Sequence, residues 1–430
     1  MTSTVLISGA SIAGPALAFW LHHHGFRPVV VERAPAVRAG GYPIDVRAGA
    51  LEVVDRMGLL PAIREAHVDT RRGTFVGAGG RAIARITPDE FTGSPEGRDV
   101  ELPRGDLARL LYERTRDDVE YLFDDTITGL THPAGSAGLP SPVLEQDATG
   151  VRVTFRNAPP RTVDLVVGAD GLHSTVRGLA FGPEAGFRHD LGFAFAGFSL
   201  DEATSAGRHL EREFVAHNTP GRMAGIYAVR GQHRRTGILA FATPPGFAVD
   251  HRDVAGQREA VAAAFTGGGW EIPRLVAAMR TAEDFFFDTV SQVRMPRWSS
   301  GRVALLGDAA YAPALLSGQG TSLALIGAYV LAGELAAAGG DPATAFAEYE
   351  RALRPFVERN QALAGSGGDT LIPRTRTALW LRNAVLAVLP YLGPVRRLFT
   401  GRVDEAARSF PLPGYPRPIA ARPPSGHDVA

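Results

Sequence analysis

Small residues near the start of the chain are spaced as a binding turn for a phosphorylated ligand. An apolar run, Thr4–Ser8, leads into the turn 9–14 (GASIAG), and the helical pattern Pro15–His24 follows. The spacing is that of the dinucleotide fingerprint G-x-G-x-x-G, with serine at the middle position. Gly9 permits a tight turn and Gly14 lets the helix pack closely on the strand, so that the helix N-terminus offers free N–H groups to a pyrophosphate. The predicted contacts of this ligand are Gly9, Ser11, Ile12, Ala13 and Gly14.

An acidic residue follows the second predicted strand. The β-branched run Pro28–Val31 ends in Glu32 and Arg33, and a carboxylate at this place can accept both ribose hydroxyls of an adenosine. Strand, helix and strand form a parallel βαβ unit, and Glu32 and Arg33 are therefore predicted nucleotide contacts. The alternative is a tight turn between a strand and a helix that binds no ligand.

Two further segments extend this pattern. Residues 164–177 read DLVVGADGLHSTVR, and residues 301–320 read GRVALLGDAAYAPALLSGQG. Together with the turn 9–14, they resemble the three signatures of the FAD-dependent aromatic hydroxylases, the para-hydroxybenzoate hydroxylase-like (group A) flavoprotein monooxygenases. The resemblance runs from residue 1 to about residue 360, with the three signatures in the family's order.

The resemblance implies roles for three polar residues and a reaction. Arg47 would contact the FAD pyrophosphate, Arg104 would reach the flavin side, and Asp170 would serve the region that binds FAD and nicotinamide. In the family, NADPH or NADH reduces FAD, dioxygen adds at the flavin C4a to form a hydroperoxide, and one oxygen atom is transferred to an electron-rich carbon. Because the flavin carries this chemistry, the sequence identifies no catalytic acid or base.

Asp308 and the glycine-rich loop after it can also be interpreted physically. Asp308 follows the predicted buried strand Arg302–Leu306, so it lies at the carboxyl edge of the sheet, where its carboxylate suits a polyol such as a ribityl chain. The loop opens the predicted helix Thr321–Ala338, whose dipole would stabilise the anionic N1–C2=O edge of reduced flavin. The predicted contacts here are Asp308, Gly318, Gly320 and Thr321. The alternative is an N-terminal loop of a helix that only packs.

Two residues depart from the family's pattern. Leu315 stands where the family usually has proline, and Thr321 stands where it usually has asparagine. Leu315 would make the pocket roomier or more apolar, or would weaken oxygen transfer. Some relatives use this scaffold without net redox change, so a flavin-binding cyclase or isomerase is the alternative function. An NAD-dependent dehydrogenase would leave the Asp308 loop unexplained, and a non-enzymatic binding protein would show no turnover.

The composition excludes several other chemistries. The chain has 430 residues, with 45 basic residues that are all arginine, 45 acidic residues and no cysteine. Schiff-base lysines, thiolate nucleophiles, disulfides and cysteine-ligated metals are therefore excluded, and we predict no metal. The zero formal charge argues against nucleic acid as a partner. Because no segment has the features of a secretory signal or a membrane span, we expect a cytoplasmic enzyme, monomeric or homodimeric.

The predicted fold class is α/β: a Rossmann-like FAD-binding domain with an inserted antiparallel-sheet substrate domain and a C-terminal helical segment. Short alternating runs between about residues 191 and 287 indicate the antiparallel sheet. The predicted parts are an FAD-binding domain of residues 1–75, 99–185 and 286–365, a substrate-binding domain of residues 76–98 and 186–285, C-terminal helices over 366–410, and a flexible tail over 411–430.

The substrate should lie between the flavin and the antiparallel sheet, since domain interfaces commonly bind ligands. Phe195, Tyr227 and Leu315 are the predicted substrate contacts, with core packing as the alternative role. The sheet region has no lysine and no evident arginine pair to bind a small carboxylate. We therefore expect a bulky aromatic or polycyclic substrate of the natural-product kind, with dioxygen as the second substrate.

Overall fold

A computed structural model of the chain describes residues 3–38, 40–87, 99–131, 150–200, 212–228, 235–388 and 410–415, without the side chains of residues 316 and 365–367. The strands are β1 Thr4–Ser8, β2 Arg27–Val31, β3 Pro43–Val46, β4 Arg72–Val76, β5 Ala82–Ile86, β6 Val100–Pro103, β7 Glu120–Leu122, β8 Ile127–Thr131, β9 Val151–Phe155, β10 Arg161–Val163, β11 Leu165–Gly168, β12 Arg188–Leu200, β13 Glu213–Thr219, β14 Arg222–Ala228, β15 Arg235–Ala242, β16 Phe286–Val293, β17 Ser299–Ser300 and β18 Val303–Leu305. The helices are α1 Ala13–His23, α2 Gly49–Arg56, α3 Leu60–Glu65, α4 Arg104–Thr115, α5 Thr175–Phe181, α6 Val254–Ala264, α7 Ile272–Thr281, α8 Asp308–Tyr311, α9 Gly320–Ala337, α10 Pro342–Leu371 and α11 Arg376–Val388.

A mainly parallel sheet positions the predicted cofactor residues. Its strand order is β17-β18-β11-β1-β2-β7, and every neighbouring pair is parallel except β17–β18 at the edge. The central strand β1 is buried from its second residue onward, as expected of an apolar strand covered on both faces. The carboxyl ends of the parallel strands meet at one edge of the sheet. The turn 9–14, Glu32, Asp170 and Asp308 each follow one of these strands and therefore lie at that edge.

Helix α9 packs in the middle of this layer, against α1 and α10. Among the described residues it is the one helix long and apolar enough to cross a membrane, and 72% of it is buried inside the fold. A helix that is apolar on all sides is expected in the core of a large domain, and α9 occupies such a place.

The second large sheet has seven strands in the order β16-β12-β15-β14-β13-β4-β5. Its neighbours are antiparallel except for the parallel pair β13–β4. Because side chains alternate along a strand, Ala194, Ala196 and Phe198 of β12 pack towards helices α6 and α7, while Phe193 and Phe195 lie on the opposite face. We call that opposite face the aromatic face; its buried residues include Phe75, Phe193, Phe195, Ala216, Met223, Ile238 and Ala240.

The predicted α/β fold class is confirmed, whereas the domain bounds stay a prediction. Strand β4 hydrogen-bonds within the seven-stranded sheet, although the predicted boundary leaves most of it in the FAD-binding domain. Parts of the predicted substrate domain (88–98 and 201–211) and of the C-terminal helices (389–409) lie outside the described residues.

The first residues of the expected flexible tail are packed. Tyr415 Oη donates a hydrogen bond to Glu334 Oε1 at 2.7 Å, and Tyr329 Oη donates to the Pro413 carbonyl at 2.8 Å. A Cβ at Gly333 would come within 2.2 Å of the Tyr415 ring, so this glycine is what allows the ring to dock on α9. The expectation of a flexible tail is therefore corrected for residues 411–415, and residues 416–430 lie outside the described part of the chain.

Candidate active site

The turn 9–14 is built from close backbone contacts. Gly9 has φ +107°, and a Cβ there would lie 2.5 Å from the Ala169 carbonyl oxygen. A Cβ at Gly14 would lie 1.9 Å from the Gly9 carbonyl oxygen. Ile12, the residue before helix α1, supplies no side-chain cap, so the helix N–H groups around Ala13 are available to an acceptor. Such an N-terminus suits a pyrophosphate.

Glu32 is held beside this turn by two backbone hydrogen bonds. Its Oε2 accepts from Ala10 N at 2.8 Å, and its Oε1 accepts from Ala34 N at 2.9 Å. Each carboxylate oxygen keeps a further lone pair for a hydroxyl donor. Arg33 is exposed next to it. The carboxylate is therefore fixed at the end of β2, where an adenosine ribose was predicted.

Arg104 connects the first and third predicted segments. Its Nη2 donates to Ser11 Oγ at 3.0 Å, although the two residues were predicted from unrelated parts of the sequence. Arg104 also lies close enough to Asp308 to oppose the rise in the pKa of that carboxyl. A guanidinium thus stands between the turn 9–14 and Asp308, at the edge where the parallel strands end.

Asp308 begins helix α8 immediately after a glycine with positive φ. Gly307 has φ +64°, and a Cβ there would touch the Cβ atoms of Ala13 and Ala324 at 3.4 and 3.5 Å. The Asp308 side chain is exposed, yet burial by the surrounding protein raises its pKa, with Arg104 lowering it and Asp288 raising it further. An exposed carboxylate that is closely surrounded by protein lines a recess open to solvent, which we call the Asp308 cleft.

The loop 318–320, which we call the Gly318 loop, closes the cleft on the side of α9. Gly318 adopts a left-handed conformation with φ +64°, and a Cβ there would lie 3.0 Å from Asp45 Oδ2. A Cβ at Gly320 would lie 3.6 Å from Asp308 Oδ1. The side chain of Gln319, the residue before α9, makes no capping hydrogen bond, so the N-terminal N–H groups of α9 face this region, and Thr321 is its second residue.

Arg47 is buried beside the Gly318 loop. Its Nη2 donates to Asp45 Oδ2 at 2.9 Å and its Nη1 lies 3.8 Å from Asp99 Oδ2. Burial alone would lower the pKa of Arg47, but Asp45 and Asp99 raise it. The resemblance implied a contact between Arg47 and the pyrophosphate, whereas its neighbours in the structure place it at the Gly318 end of the site.

Asp170 fixes the turn after β11. Ser174 Oγ donates to its Oδ1, and Thr175 N and Val176 N donate to its Oδ2 at 2.8 and 3.1 Å. Burial raises the pKa of Asp170, and these hydrogen bonds oppose the rise. Its carboxylate therefore caps α5, next to β1, where Ser8 Oγ also donates to it at 3.4 Å.

Comparisons with known proteins identify the family. The profile of the FAD binding domain family matches residues 2–363. The chain belongs to this family. A flavin-dependent monooxygenase from an unknown prokaryotic organism is 37% identical over 420 residues, covering 96% of this chain and 99% of the relative. The FAD-dependent monooxygenase asL6 of Sarocladium schorii is 32% identical over 436 residues, covering 97% of this chain and 99% of that protein.

A solved structure extends the likeness to the whole fold. The crystal structure of the tetracycline destructase Tet(55) matches with a TM-score of 0.78 and 32% identity, covering 96% of this chain and 99% of that chain. The predicted family is thus confirmed, and the protein is a flavin-dependent monooxygenase with FAD as its cofactor.

Buried polar atoms at the Gly318 loop fit a flavin of this family. The side-chain amide of Gln319 is buried, and neither its oxygen nor its nitrogen has a hydrogen-bond partner among the described residues. Arg47 Nε and Nη1 are likewise buried without a hydrogen-bond partner. Buried polar groups normally find a partner, and the edge of an isoalloxazine carries both donors and acceptors. Gln319 was missed from the sequence, although it lies between the two predicted glycines.

The three predicted substrate residues divide into two environments. Phe195 is buried on the aromatic face and Leu315 packs against this cluster, and the Phe195 ring lies 5.3 Å from that of Tyr42. Tyr42 was not predicted from the sequence. Burial raises its pKa to about 12, while the charge of Arg104 lowers this pKa and that of Asp308 raises it. It therefore stands between the Asp308 cleft and the aromatic face.

Tyr227 occupies a polar environment instead. Its Oη donates to Glu101 Oε2, and Thr70 Oγ1 donates to the same oxygen at 3.0 Å. Burial and the nearby Asp45 raise the pKa of Glu101 to about 7, while hydrogen bonds from Tyr227 and Thr70 and the charge of Arg47 lower it. Glu101 was also not predicted from the sequence. The one indication of a role for it was that it is a lone carboxylate in the otherwise apolar strand β6.

Proposed function

We propose that this monooxygenase binds FAD across its three convergent segments and uses NADPH or NADH with dioxygen to hydroxylate or epoxidise a bulky aromatic or polycyclic compound. The observation that carries the proposal is the position of Arg104, bonded to Ser11 and close to Asp308. The proposed FAD contacts are Gly9, Ser11, Ile12, Ala13, Gly14, Glu32, Arg33, Arg47, Arg104, Asp170, Asp308, Gly318, Gly320 and Thr321.

When bound, FAD would supply the redox chemistry, which is to accept electrons from NADPH or NADH and to activate dioxygen. The chain's own part is to hold the pyrophosphate at the N-terminus of α1, to accept hydroxyl groups at Glu32 and Asp308, and to offer the N-terminus of α9 to negative charge on the flavin. The residues of the aromatic face, with Leu315 at its border, keep water from the substrate.

The aromatic face also supports the proposed substrate class. Phe195, Met223 and Ile238 belong to it, and an apolar surface of this kind suits a large, mostly apolar ring system. The names of a tetracycline destructase and of fungal FAD-dependent monooxygenases support a polycyclic or natural-product-like compound. We further propose a cytoplasmic protein, monomeric or homodimeric. Among the described residues, no group of three or more His, Asp or Glu side chains is placed to bind a metal.

Isotope incorporation tests this function. FAD-loaded protein is mixed with NADPH or NADH, a panel of dihydroxynaphthalenes and dihydroxyanthracenes, and ¹⁸O-labelled dioxygen. We expect at least one compound to accelerate nicotinamide oxidation and to gain a single ¹⁸O atom. An isomeric product without label, formed without a nicotinamide, would instead support the cyclase or isomerase alternative. Acceleration of nicotinamide oxidation with no labelled product would also contradict the proposal.

A further inference from the structure

Helix α11 covers the end of the aromatic face that is remote from the Gly318 loop. It packs against β5 and β13, and its Leu386 joins the residues of the aromatic face. Its other side carries Trp380 and Leu381, which are exposed. The helix is therefore placed with one side over the sheet and one side outward.

Arg382 of this helix is half-buried over the aromatic face, with no counter-ion among the described residues. Its guanidinium carbon is 4.6 Å from the centre of the Phe75 ring, and its Nε is buried without a hydrogen-bond partner. Within the described part of the chain, no carboxylate oxygen lies within 4.0 Å of its nitrogens. Burial lowers the pKa of Arg382 to about 10, so the side chain remains charged at neutral pH.

A second arginine in the same region, Arg374, has acceptors for its guanidinium. Arg374 lies 4.4 Å from the centre of the Phe193 ring on the same face. Unlike Arg382, it donates to Asp369 Oδ1 at 2.9 Å and to the Gly192 carbonyl at 3.1 Å. Stacking on an aromatic ring is thus common to both arginines, and the missing acceptor is particular to Arg382. The buried Nε of Arg382 lacks the acceptor that a buried polar group normally finds, which points to an acceptor supplied by a ligand.

The distance across the sheet sets the size of the ligand that would reach Arg382. Phe195 on β12 lies beside Tyr42 at the flavin end, whereas Phe75 lies on β4, four strand spacings away in the order β12-β15-β14-β13-β4. With neighbouring strands about 4.8 Å apart, this is about 19 Å. On the intervening strand β13, Asn218 Oδ1 is a further buried polar atom without a partner.

We propose that Arg382 binds an anionic oxygen of the substrate, a carboxylate, phenolate or enolate, at the end of the molecule remote from the carbon that is oxidised. The substrate class is then an elongated aromatic or polycyclic acid whose ring system lies along the aromatic face. This inference rests on the proposed function, because it takes the aromatic face as the substrate site. It also explains why the strands themselves need no cation, since the charge comes from helix α11.

Binding of a matched pair of probes tests the assignment. Calorimetry compares anthracene-2-carboxylate with anthracene-2-carboxamide on the FAD-loaded full chain, for the wild type, Arg382→Gln, Arg382→Lys and Arg376→Gln. Arg376 is an exposed arginine on the same helix. We expect Arg382→Gln to weaken the carboxylate about tenfold to a hundredfold, the usual range for a hydrogen bond to a charged group. The carboxamide should change by less than about twofold, Arg382→Lys should restore part of the loss, and Arg376→Gln should resemble the wild type.

Three results would overturn the proposal. These are failure of the carboxylate to bind the wild type, equal wild-type affinity for the two probes, and an equal loss of both probes in Arg382→Gln, which would indicate a merely structural role. The measurement needs no oxygen transfer. A protein that selects the carboxylate through Arg382 but incorporates no labelled oxygen would therefore contradict the proposed reaction alone.

Discussion

The turn 9–14 and the aromatic face belong to one site but are built on different principles. The turn depends on the absence of side chains, since a Cβ at Gly9 or Gly14 would overlap backbone atoms. The aromatic face depends on ordinary apolar side chains from strands far apart in the sequence, Phe75 on β4 and Phe195 on β12 among them. Backbone-built sites restrict residue type at fixed spacing and so leave a signature; side-chain-built sites restrict only volume and polarity.

Gly14→Val tests the backbone-built region most severely. The added Cβ would meet the Gly9 carbonyl oxygen at 1.9 Å, so α1 must move away from β1. We expect a loss of about 3 kcal/mol of unfolding free energy and a purified protein without FAD, measured by thermal unfolding and flavin absorbance. Gly178→Ala is the control, because a Cβ at that helical position meets no atom within 4 Å. Normal FAD content in Gly14→Val would show that the turn is not needed.

Asp308→Ala should have the next largest effect. The substitution removes an acceptor that lines the cleft, but the Asp308 side chain is exposed and contributes little packing. We therefore expect the FAD dissociation constant to rise about tenfold to a hundredfold with little loss of stability. Titration of the deflavinated protein with FAD measures it. Arg47→Ala should act in the same direction, and Asp117→Ala, at a side chain that is 87% exposed, should have no effect. Unchanged FAD affinity in both Asp308→Ala and Arg47→Ala would mean that the cofactor lies elsewhere.

Phe195→Leu tests the aromatic face, the second of the two regions compared. We expect KM for an accepted substrate to rise about tenfold, with FAD content unchanged, because Phe195 lies on the aromatic face. Phe198→Leu is the matched control on the same strand, since its side chain packs on the opposite face under α6 and α7. Steady-state kinetics distinguish the two. A similar change of KM in both variants would indicate that the strand, and not the face, is responsible.

Glu101→Gln should have the smallest effect, and it depends on pH. The folded-state pKa of Glu101 is raised to about 7 by burial, so its stabilising protonated form is complete below the ordinary glutamate value and is lost as pH rises through about 7. Wild type should therefore lose about 1 kcal/mol relative to Glu101→Gln between pH 6 and pH 7. Thermal midpoints at both pH values test this, with exposed Glu113→Gln as the control; parallel pH profiles for wild type and Glu101→Gln would refute the raised pKa.

The same contrast explains what could be predicted from the sequence. The strand, turn and helix around Gly9 and the Asp308 loop follow from local spacing, and the structure brings them to one sheet edge. The neighbours of Arg47 and the Tyr227–Glu101 hydrogen bond could not be predicted, because each joins strands or loops whose proximity is decided by tertiary packing. Arg382 could not be predicted for the same reason, because it comes from a helix outside the strands and its place over Phe75 depends on tertiary packing.

Hydrogen–deuterium exchange on adding FAD to the deflavinated protein tests the central claim most directly, namely that three separate segments enclose one cofactor. We predict simultaneous protection of peptides that contain the turn 9–14, Arg104 and the loop from Asp308 to Gly320, with no change in helices α6 and α7. Protection confined to the turn 9–14, with the Asp308 loop exchanging as before, would contradict the account.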